Sequence, residues 1–260
     1  MKIGVIGLGV VGYPLFKAFQ YYHKEVYGYD IKKTSDTWES ILNTDIVFIC
    51  VPTDKGKDGR LDNSIVNDIL NSLNRDKYKG LAVIKSTLGL GYIKDAMKKF
   101  KLNIVVFPEW LRSNTAFQDT VNPEMIVIGT TDLEHLRLVR EACVWHKYSK
   151  MNMVKPEEAV MIKLTSNALA TTKISFANQI KLICEKYDID VDSVMDIVKE
   201  DPRCNPRYLD PGWAYGGYCL PKDTSELMTS IDDNFLLEGV EKINKVFLDR
   251  GDIDVDVEYY

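Results

Sequence analysis

Hydrophobic positions in the first half of the chain fall in short unbroken runs instead of alternating with polar ones. Residues 2–6 (KIGVI), 25–30 (EVYGYD), 45–50 (DIVFIC), 81–85 (LAVIK), 103–107 (NIVVF) and 125–129 (MIVIG) predict buried strands. Between them, residues 11–22, 63–74, 91–100 and 132–146 read as helices. Strands alternating with helices over this length predict a parallel, doubly wound sheet with helices on both faces. Such sheets bind ligands beyond the carboxyl ends of their strands.

The pattern changes near Pro156. From Glu157 to Tyr187 there is no Gly or Pro, and Ala159, Ile162, Leu169, Ile174, Phe176, Ile180 and Ile183 recur at helical spacing. One long helix is expected, started by Pro156 in its first turn. About 30 helical residues run about 45 Å, longer than a small domain is wide. The helix is therefore expected to be the spine of an all-helical domain and to meet a second copy of the chain in a homodimer. Further helices are expected at 191–199, 222–231 and 235–249, with an irregular segment at 201–221. The resulting division is 1–150, an α/β domain; 151–250, a helical domain; and 251–260, an acidic tail.

Composition narrows the function classes. The chain has 260 residues, 45% hydrophobic and 27% charged, with a net charge of -5, an ordinary globular balance. An acidic chain argues against nucleic-acid binding, which needs clustered Lys and Arg. Asp252, Asp254, Asp256 and Glu258 contribute much of that charge and read as a solvated end. No apolar run approaches the roughly 20 residues that span a bilayer, and Met1-Lys2-Ile3-Gly4-Val5-Ile6 opens as a strand, without a signal-peptide pattern. Five cysteines without paired spacing suit a reducing compartment, so a cytoplasmic protein is expected. Three histidines and scattered cysteines offer no metal-ligand spacing.

Gly7-Leu8-Gly9-Val10-Val11-Gly12 is a GxGxxG run that follows a strand, opens a helix and precedes a second strand ending in Asp30, the context of a dinucleotide site. Gly7 allows the tight turn, Gly9 the approach of a pyrophosphate and Gly12 close helix packing. The helix amino terminus offers N–H groups to phosphate. Asp30 would accept from ribose hydroxyls and repel a 2′-phosphate, favouring NAD, although Lys32 or Lys33 could reach such a phosphate.

In the second half, Lys163 and Asn167 are one helical turn apart and share a face; such a pair can stabilise oxygen charge or be ordinary helix surface. The segment Pro211-Gly212-Trp213-Ala214-Tyr215-Gly216-Gly217-Tyr218-Cys219-Leu220-Pro221-Lys222-Asp223 says more. It places a thiol on a glycine loop before a helix, where the dipole and Lys222 favour thiolate. Cys50, Cys143 and Cys184 sit in apolar patterns and read as core; Cys204 is ambiguous.

These residues resemble the UDP-glucose/GDP-mannose dehydrogenase family along nearly the whole chain. The resemblance is carried by Val5–Gly9 with Val11-Gly12-Tyr13-Pro14-Leu15, by Val51-Pro52-Thr53, Ile84-Lys85-Ser86-Thr87 and Pro108-Glu109-Trp110-Leu111-Arg112. It continues through Glu158-Ala159, Lys163, Asn167, Ser175-Phe176-Ala177-Asn178, Asp201-Pro202-Arg203 and the Gly-Gly-x-Cys-x-Pro-Lys-Asp loop. It implies a four-electron, NAD-dependent oxidation of a nucleotide sugar, of the UDP-glucose to UDP-glucuronate type. Cys219 would be the nucleophile, Lys163 and Asn167 would stabilise oxygen charge, Asp223 with Thr87 would hold a water, and Glu109 would be the base for thioester hydrolysis. The cofactor would meet Gly7, Gly9, Val10, Val11, Gly12, Asp30, Lys33, Val51, Pro52, Thr53, Ser86 and Thr87. The sugar would meet Glu109, Trp110, Leu111, Arg112, Lys163, Asn167, Tyr208, Leu209 and Gly216, and Arg203 would reach a partner subunit's substrate.

The chain departs from the pattern at Ser113, where a second Glu is usual, at Ala214, where Gly is common, and at Asp54, where Pro is common. Family members also continue into a second Rossmann-like, nucleotide-clasping domain, expected to be missing from a sequence that ends soon after Asn244-Lys245. Two other readings compete. One is a two-electron β-hydroxyacid dehydrogenase, which has no need of Cys219; the other is a non-catalytic NAD-binding subunit that pairs with a full-length enzyme.

Overall fold

The computed structural model describes residues 1–33 and 35–252. Asp254, Asp256 and Glu258 of the acidic tail lie outside the described residues. The described chain divides into two compact units: Met1–Gly56 with Leu61–Lys163, and Lys57–Arg60 with the residues from Leu164 onward.

The first unit is a seven-stranded sheet in the order β2-β1-β3-β4-β5-β6-β7. β1 (Ile3–Ile6), β3 (Ile46–Ile49) and β4 (Leu81–Ile84) are buried at every residue, which is why their sequences run apolar without alternation. With β2 (Val26–Tyr29) and β5 (Asn103–Val106) they form parallel ladders in register, Ile3 facing both Val26 and Ile46. Order reverses between β1 and β3. Because parallel crossovers are right-handed, α1 (Gly12–Tyr22) packs on one face while α3 (Ser64–Arg75) and α4 (Tyr92–Lys99) take the other. Phe19 of α1 meets Phe48 of β3 at 4.8 Å between ring centres, within a core that includes Ile3, Val5, Val83 and Val105.

The parallel expectation needs one correction. β6 (Val127–Gly129) runs antiparallel to β5, joined through Val106 and Gly129. A parallel return needs a crossover helix that covers the sheet, and the intervening α5 (Ala116–Val121) buries no residue. β7 (Asn152–Val154), parallel to β6, and the short α2 (Trp38–Leu42) were also not expected. The stretch expected as one helix at 132–146 is α6 (Leu133–Ala142) followed by a 3-10 turn at Val144–His146.

α7 runs from Pro156 to Tyr187 without a break, and its residues from Leu164 onward belong to the second unit. That unit adds α8 (Val191–Glu200), α9 (Cys219–Met228) and α10 (Phe235–Arg250). α9 begins three residues before the expected 222, because Pro221 sits within the first helical turn, where its missing N–H costs nothing.

α9 buries Lys222, Asp223, Thr224, Ser225 and Glu226, five polar residues in succession. Each has a partner. Asp223 accepts from Asn167 Nδ2 at 2.6 Å and pairs with Lys222 Nζ at 2.8 Å. Thr224 meets Thr171 at 3.1 Å, Ser225 donates to the Gly59 carbonyl at 2.9 Å, and Glu226 accepts from Arg60 Nε at 3.0 Å and Nη2 at 2.9 Å. The tip Lys57–Arg60 therefore belongs to the helical unit for an electrostatic reason: it neutralises a carboxylate with a fully buried side chain. Removing one partner of such a pair costs more than removing both. Arg60→Met is expected to destabilise the second unit by about 2–4 kcal/mol in urea unfolding, and Arg60→Met with Glu226→Met to recover most of that loss.

Candidate active site

The turn after β1 is held by two steric demands. Gly7 has φ +86°, a conformation that side chains resist. A Cβ on Gly12 would lie 1.8 Å from the Gly7 carbonyl oxygen, so α1 packs against its own turn only through glycine. At Gly9 the opposite holds: an added Cβ meets nothing within 4 Å, and the backbone is open to a ligand. The first turn of α1 carries no side-chain cap and no acid, so its leading N–H groups suit phosphate. Val10 is exposed and Val11 is the residue before the helix.

Asp30, at the end of β2, accepts from the Leu8 amide and the Lys32 amide, each at 2.7 Å. Burial pulls this carboxyl upward, but those amides and the ammonium groups of Lys33 and Lys32 outweigh it and hold it below the usual carboxylate range. A carboxylate has about four acceptor sites, which leaves capacity for ribose hydroxyls. Lys33 Nζ folds back onto the Leu8 carbonyl and lies 5.7 Å from the Tyr13 ring centre. It thus supports the glycine turn.

Beyond β3 and β4, the Ser86 hydroxyl donates to the Val51 carbonyl at 2.7 Å and accepts from its amide at 3.0 Å. Ser86, expected at the cofactor, here splices two strand ends and so shapes the Val51-Pro52-Thr53 turn. Pro52 is exposed, Thr53 buried and Thr87 half-buried.

After β5, Glu109 accepts from the Leu111 amide at 2.7 Å and lies 3.7 Å from Lys163 Nζ, itself 5.6 Å from the Trp110 ring centre. Lys163 is 4% exposed. The Arg112 guanidinium clamps Asp119 through contacts of 3.0 and 2.9 Å. That pairing, with the Thr115 hydroxyl, holds the Asp119 carboxyl down at about 2 against some burial. The pair orders the backbone of the Glu109–Arg112 segment. The Ser113 side chain lies outside the described set.

In the second unit Cys219 is the first residue of α9 and half-buried. The loop before it is held by two buried side-chain amides, Asn178 and Asn244. Asn178 donates to the Trp213 carbonyl and accepts from the Gly212 amide, both at 2.7 Å. Asn244 accepts from the Tyr215 amide at 2.7 Å and donates to its carbonyl at 3.0 Å. Asn178 closes the Ser-Phe-Ala-Asn run on α7, which was its signal; Asn244 had none. Gly217, with φ +71°, then turns the chain into α9. Lys222 is paired with Asp223 and also lies 5.2 Å from the Tyr218 ring centre. Cys50, Cys143 and Cys184 are buried as expected, Cys204 is half-buried, and no disulfide joins any described cysteine. Burial pushes the Cys50 and Cys143 thiols up to about 12.

Three expected substrate residues have other engagements. Arg203 binds Asp201 through its amide and guanidinium. Leu209 packs with Ala177 and Met195. Tyr208, at φ 69°, packs against the cluster of Ile174, Tyr215 and Val240. Gly216 has open space around it. Among the described residues no His, Cys, Asp and Glu group could hold a metal, and no helix is long and apolar enough to cross a membrane.

Residues 31–144 match the model of the UDP-glucose/GDP-mannose dehydrogenase family, NAD binding domain, and residues 157–246 match that of its central domain. The chain belongs to the UDP-glucose/GDP-mannose dehydrogenase family. It is 37% identical over 175 residues to a UDP-glucose 6-dehydrogenase of Streptococcus pneumoniae, a match that takes in 63% of this chain and 44% of that protein. It spans about half or less of the length of other curated relatives it matches. The structure of a UDP-glucose dehydrogenase from Pyrobaculum islandicum superposes with a TM-score of 0.85 at 25% identity, covering 94% of this chain and 68% of that one. A 3-hydroxyisobutyrate dehydrogenase of Mycobacterium tuberculosis superposes at 0.74 with 16% identity, covering 99% and 98%; that likeness is one of fold.

The glycine turn, the open backbone at Gly9 and Asp30 fit NAD, the cofactor of the matched domain. Gly9→Ala is expected to leave unfolding unchanged while weakening NAD binding about tenfold or more, read by calorimetry. Gly12→Ala is expected to lower stability by about 3 kcal/mol, because the clash is with backbone that has no room to move.

Proposed function

We propose that this chain carries the reaction core of an NAD-dependent nucleotide-sugar 6-dehydrogenase that turns a primary alcohol into a carboxylate through Cys219. The observation that supports this most is the setting of that thiol: half-buried, on a helix first turn, behind a glycine loop pinned by two asparagines. A two-electron alcohol oxidation needs no such thiol. The names of the curated relatives support UDP-glucose as the substrate.

Bound NAD supplies the acceptor for a hydride, and the reaction uses it twice. Loss of a hydride and a proton from the C6 alcohol leaves an aldehyde. The Cys219 sulfur adds to its carbonyl carbon, and the oxygen takes a proton to give a thiohemiacetal. Loss of a second hydride and a proton gives a thioester. Water then attacks, the carbon–sulfur bond breaks, and the carboxylate leaves with the thiol restored. Lys163 and Asn167 stabilise the oxygen charge of these intermediates. Glu109 takes the proton of the attacking water, and Asp223 with Thr87 holds that water. Trp110, Leu111, Arg112, Tyr208, Leu209 and Gly216 shape the sugar's surroundings, partly through backbone, and Arg203 serves a partner subunit's substrate.

The homodimer belongs to the same proposal. Leu169, Phe176 and Ile183 are 56%, 53% and 44% exposed at seven-residue intervals along α7, a seam suited to a second helix. Phe176→Glu is expected to halve the sedimenting mass; an unchanged mass would remove α7 as the interface.

The fold likeness to a 3-hydroxyisobutyrate dehydrogenase keeps a two-electron β-hydroxyacid oxidation as the second reading. With UDP-glucose and excess NAD, absorbance at the NADH band is expected to rise by two equivalents per sugar, and Cys219→Ser to stop acid formation. One equivalent, with turnover unaffected by Cys219→Ser, would favour the second reading. No absorbance change would leave a cofactor-binding subunit.

A further inference from the structure

We propose that a pocket behind Trp110 in the first unit binds a small monocarboxylate, held by Lys85, the indole N–H of Trp110 and the imidazole of His146. It shares Val11, Glu109, Trp110 and Leu111 with the cofactor and sugar surroundings proposed above, and competition by nicotinamide separates the two. The three side chains line one small pocket, about 440 Å³ when the open solvent at its mouth is counted.

Each presents a donor that no acceptor meets among the described residues. Lys85 is 8% exposed, and its ammonium group rests over the face of Phe107, 3.7 Å from the ring centre, without a hydrogen-bonded oxygen. Trp110 Nε1 is buried and unpaired, as is His146 Nδ1. The imidazole tautomer follows from its neighbour. Trp145 Nε1 lies 2.9 Å from His146 Nε2, and an indole nitrogen only donates. Nε2 therefore accepts, and the proton of the neutral ring sits on Nδ1. Burial, then the charge of Lys85, holds this histidine down at about 4, so the ring is neutral at ordinary pH. Buried polar groups are rarely left unmatched, and three unmatched donors around one space call for an acceptor.

The charges around the pocket set the valence of that acceptor. Glu109 and Asp119 also line it, but Glu109 is engaged by the Leu111 amide and Lys163, and Asp119 by Arg112. Cys50 and Cys143, near enough to Lys85 to affect its charge, are neutral thiols. Burial pulls the Lys85 ammonium below the ordinary lysine value, and among the described residues no carboxylate is in contact with it to restore its charge. A single negative charge balances it, whereas a dianion would also face Glu109 and Asp119. Leu15, Phe107 and Met125 supply apolar wall for a short hydrocarbon tail.

Acetate and butyrate, titrated into the nitrogen-15-labelled full chain, are the test. The Trp110 indole N–H resonance is expected to shift saturably, while the resonances of Trp38 and Trp213 stay in place, and sodium chloride or inorganic phosphate at matched ionic strength is expected to have no such effect. Lys85→Met is expected to weaken acetate binding about tenfold or more, the scale of a charged hydrogen bond. Trp110→Phe, which keeps a large ring, is expected to weaken it as read from the His146 imidazole. No saturable shift, the same shift with chloride, or undiminished binding in both variants would overturn the proposal. So would nicotinamide moving the same resonances and excluding acetate, since the pocket would then belong to the cofactor.

Discussion

A helix that buries five consecutive polar side chains can exist only where each finds a partner, and α9 is such a helix. Unmatched, any of these groups would cost about 1–3 kcal/mol, and the charged ones more. The neighbourhood of α9 is thereby specified. Asn167 and Thr171 on α7 answer Asp223 and Thr224, while Gly59 and Arg60, brought from far earlier in the chain, answer Ser225 and Glu226. A helix fixed along its whole buried length has a fixed first turn, and Cys219 is that turn. Asn178 and Asn244 extend the constraint backward by bonding both polar groups of the backbone they meet. Two-point amide clamps stop a loop rich in glycine from sampling the conformations its composition allows.

The α/β unit reaches order by a different route. There the constraint is steric, with the Gly7 conformation and the Gly12 approach to it leaving one way for α1 to leave β1. Polar residues then reinforce the turn. Asp30 takes the Leu8 amide and Lys33 the Leu8 carbonyl, so the two groups chosen from sequence for cofactor contact also brace the loop that would receive it. Ser86 and Arg112 likewise bind backbone and a neighbouring acid. Several of the motif residues in this chain thus brace backbone.

The elements legible in the sequence were those with strong burial. β1, β3 and β4 are solid apolar runs, and α3 and α4 place Val66, Leu70, Leu73, Ile93 and Ala96 inward at helical spacing. α5 buries nothing, α2 buries only Ile41, and β7 is three half-buried residues, so none leaves a periodic trace. The glycine turn and the Cys219 loop were readable because their chemistry needs particular residue types close together. The ion pair of Arg60 with Glu226 and the clamp by Asn244 were not, since each joins residues distant in sequence through side chains that patterning assigns to the surface. The polar row of α9 is the clearest case. A hydropathy reading places Lys222 through Glu226 in water, and only the distant partners make burial possible.

The central claim is that this framework holds the sulfur of Cys219 ready to attack. The most direct measurement is its rate of alkylation by iodoacetamide as a function of pH, followed by peptide mass spectrometry with the half-buried Cys204 as internal reference. The account predicts a titration midpoint below the ordinary thiol value of about 8.5 and faster labelling than Cys204 at neutral pH. A midpoint at or above that value, with labelling no faster than Cys204, would contradict it.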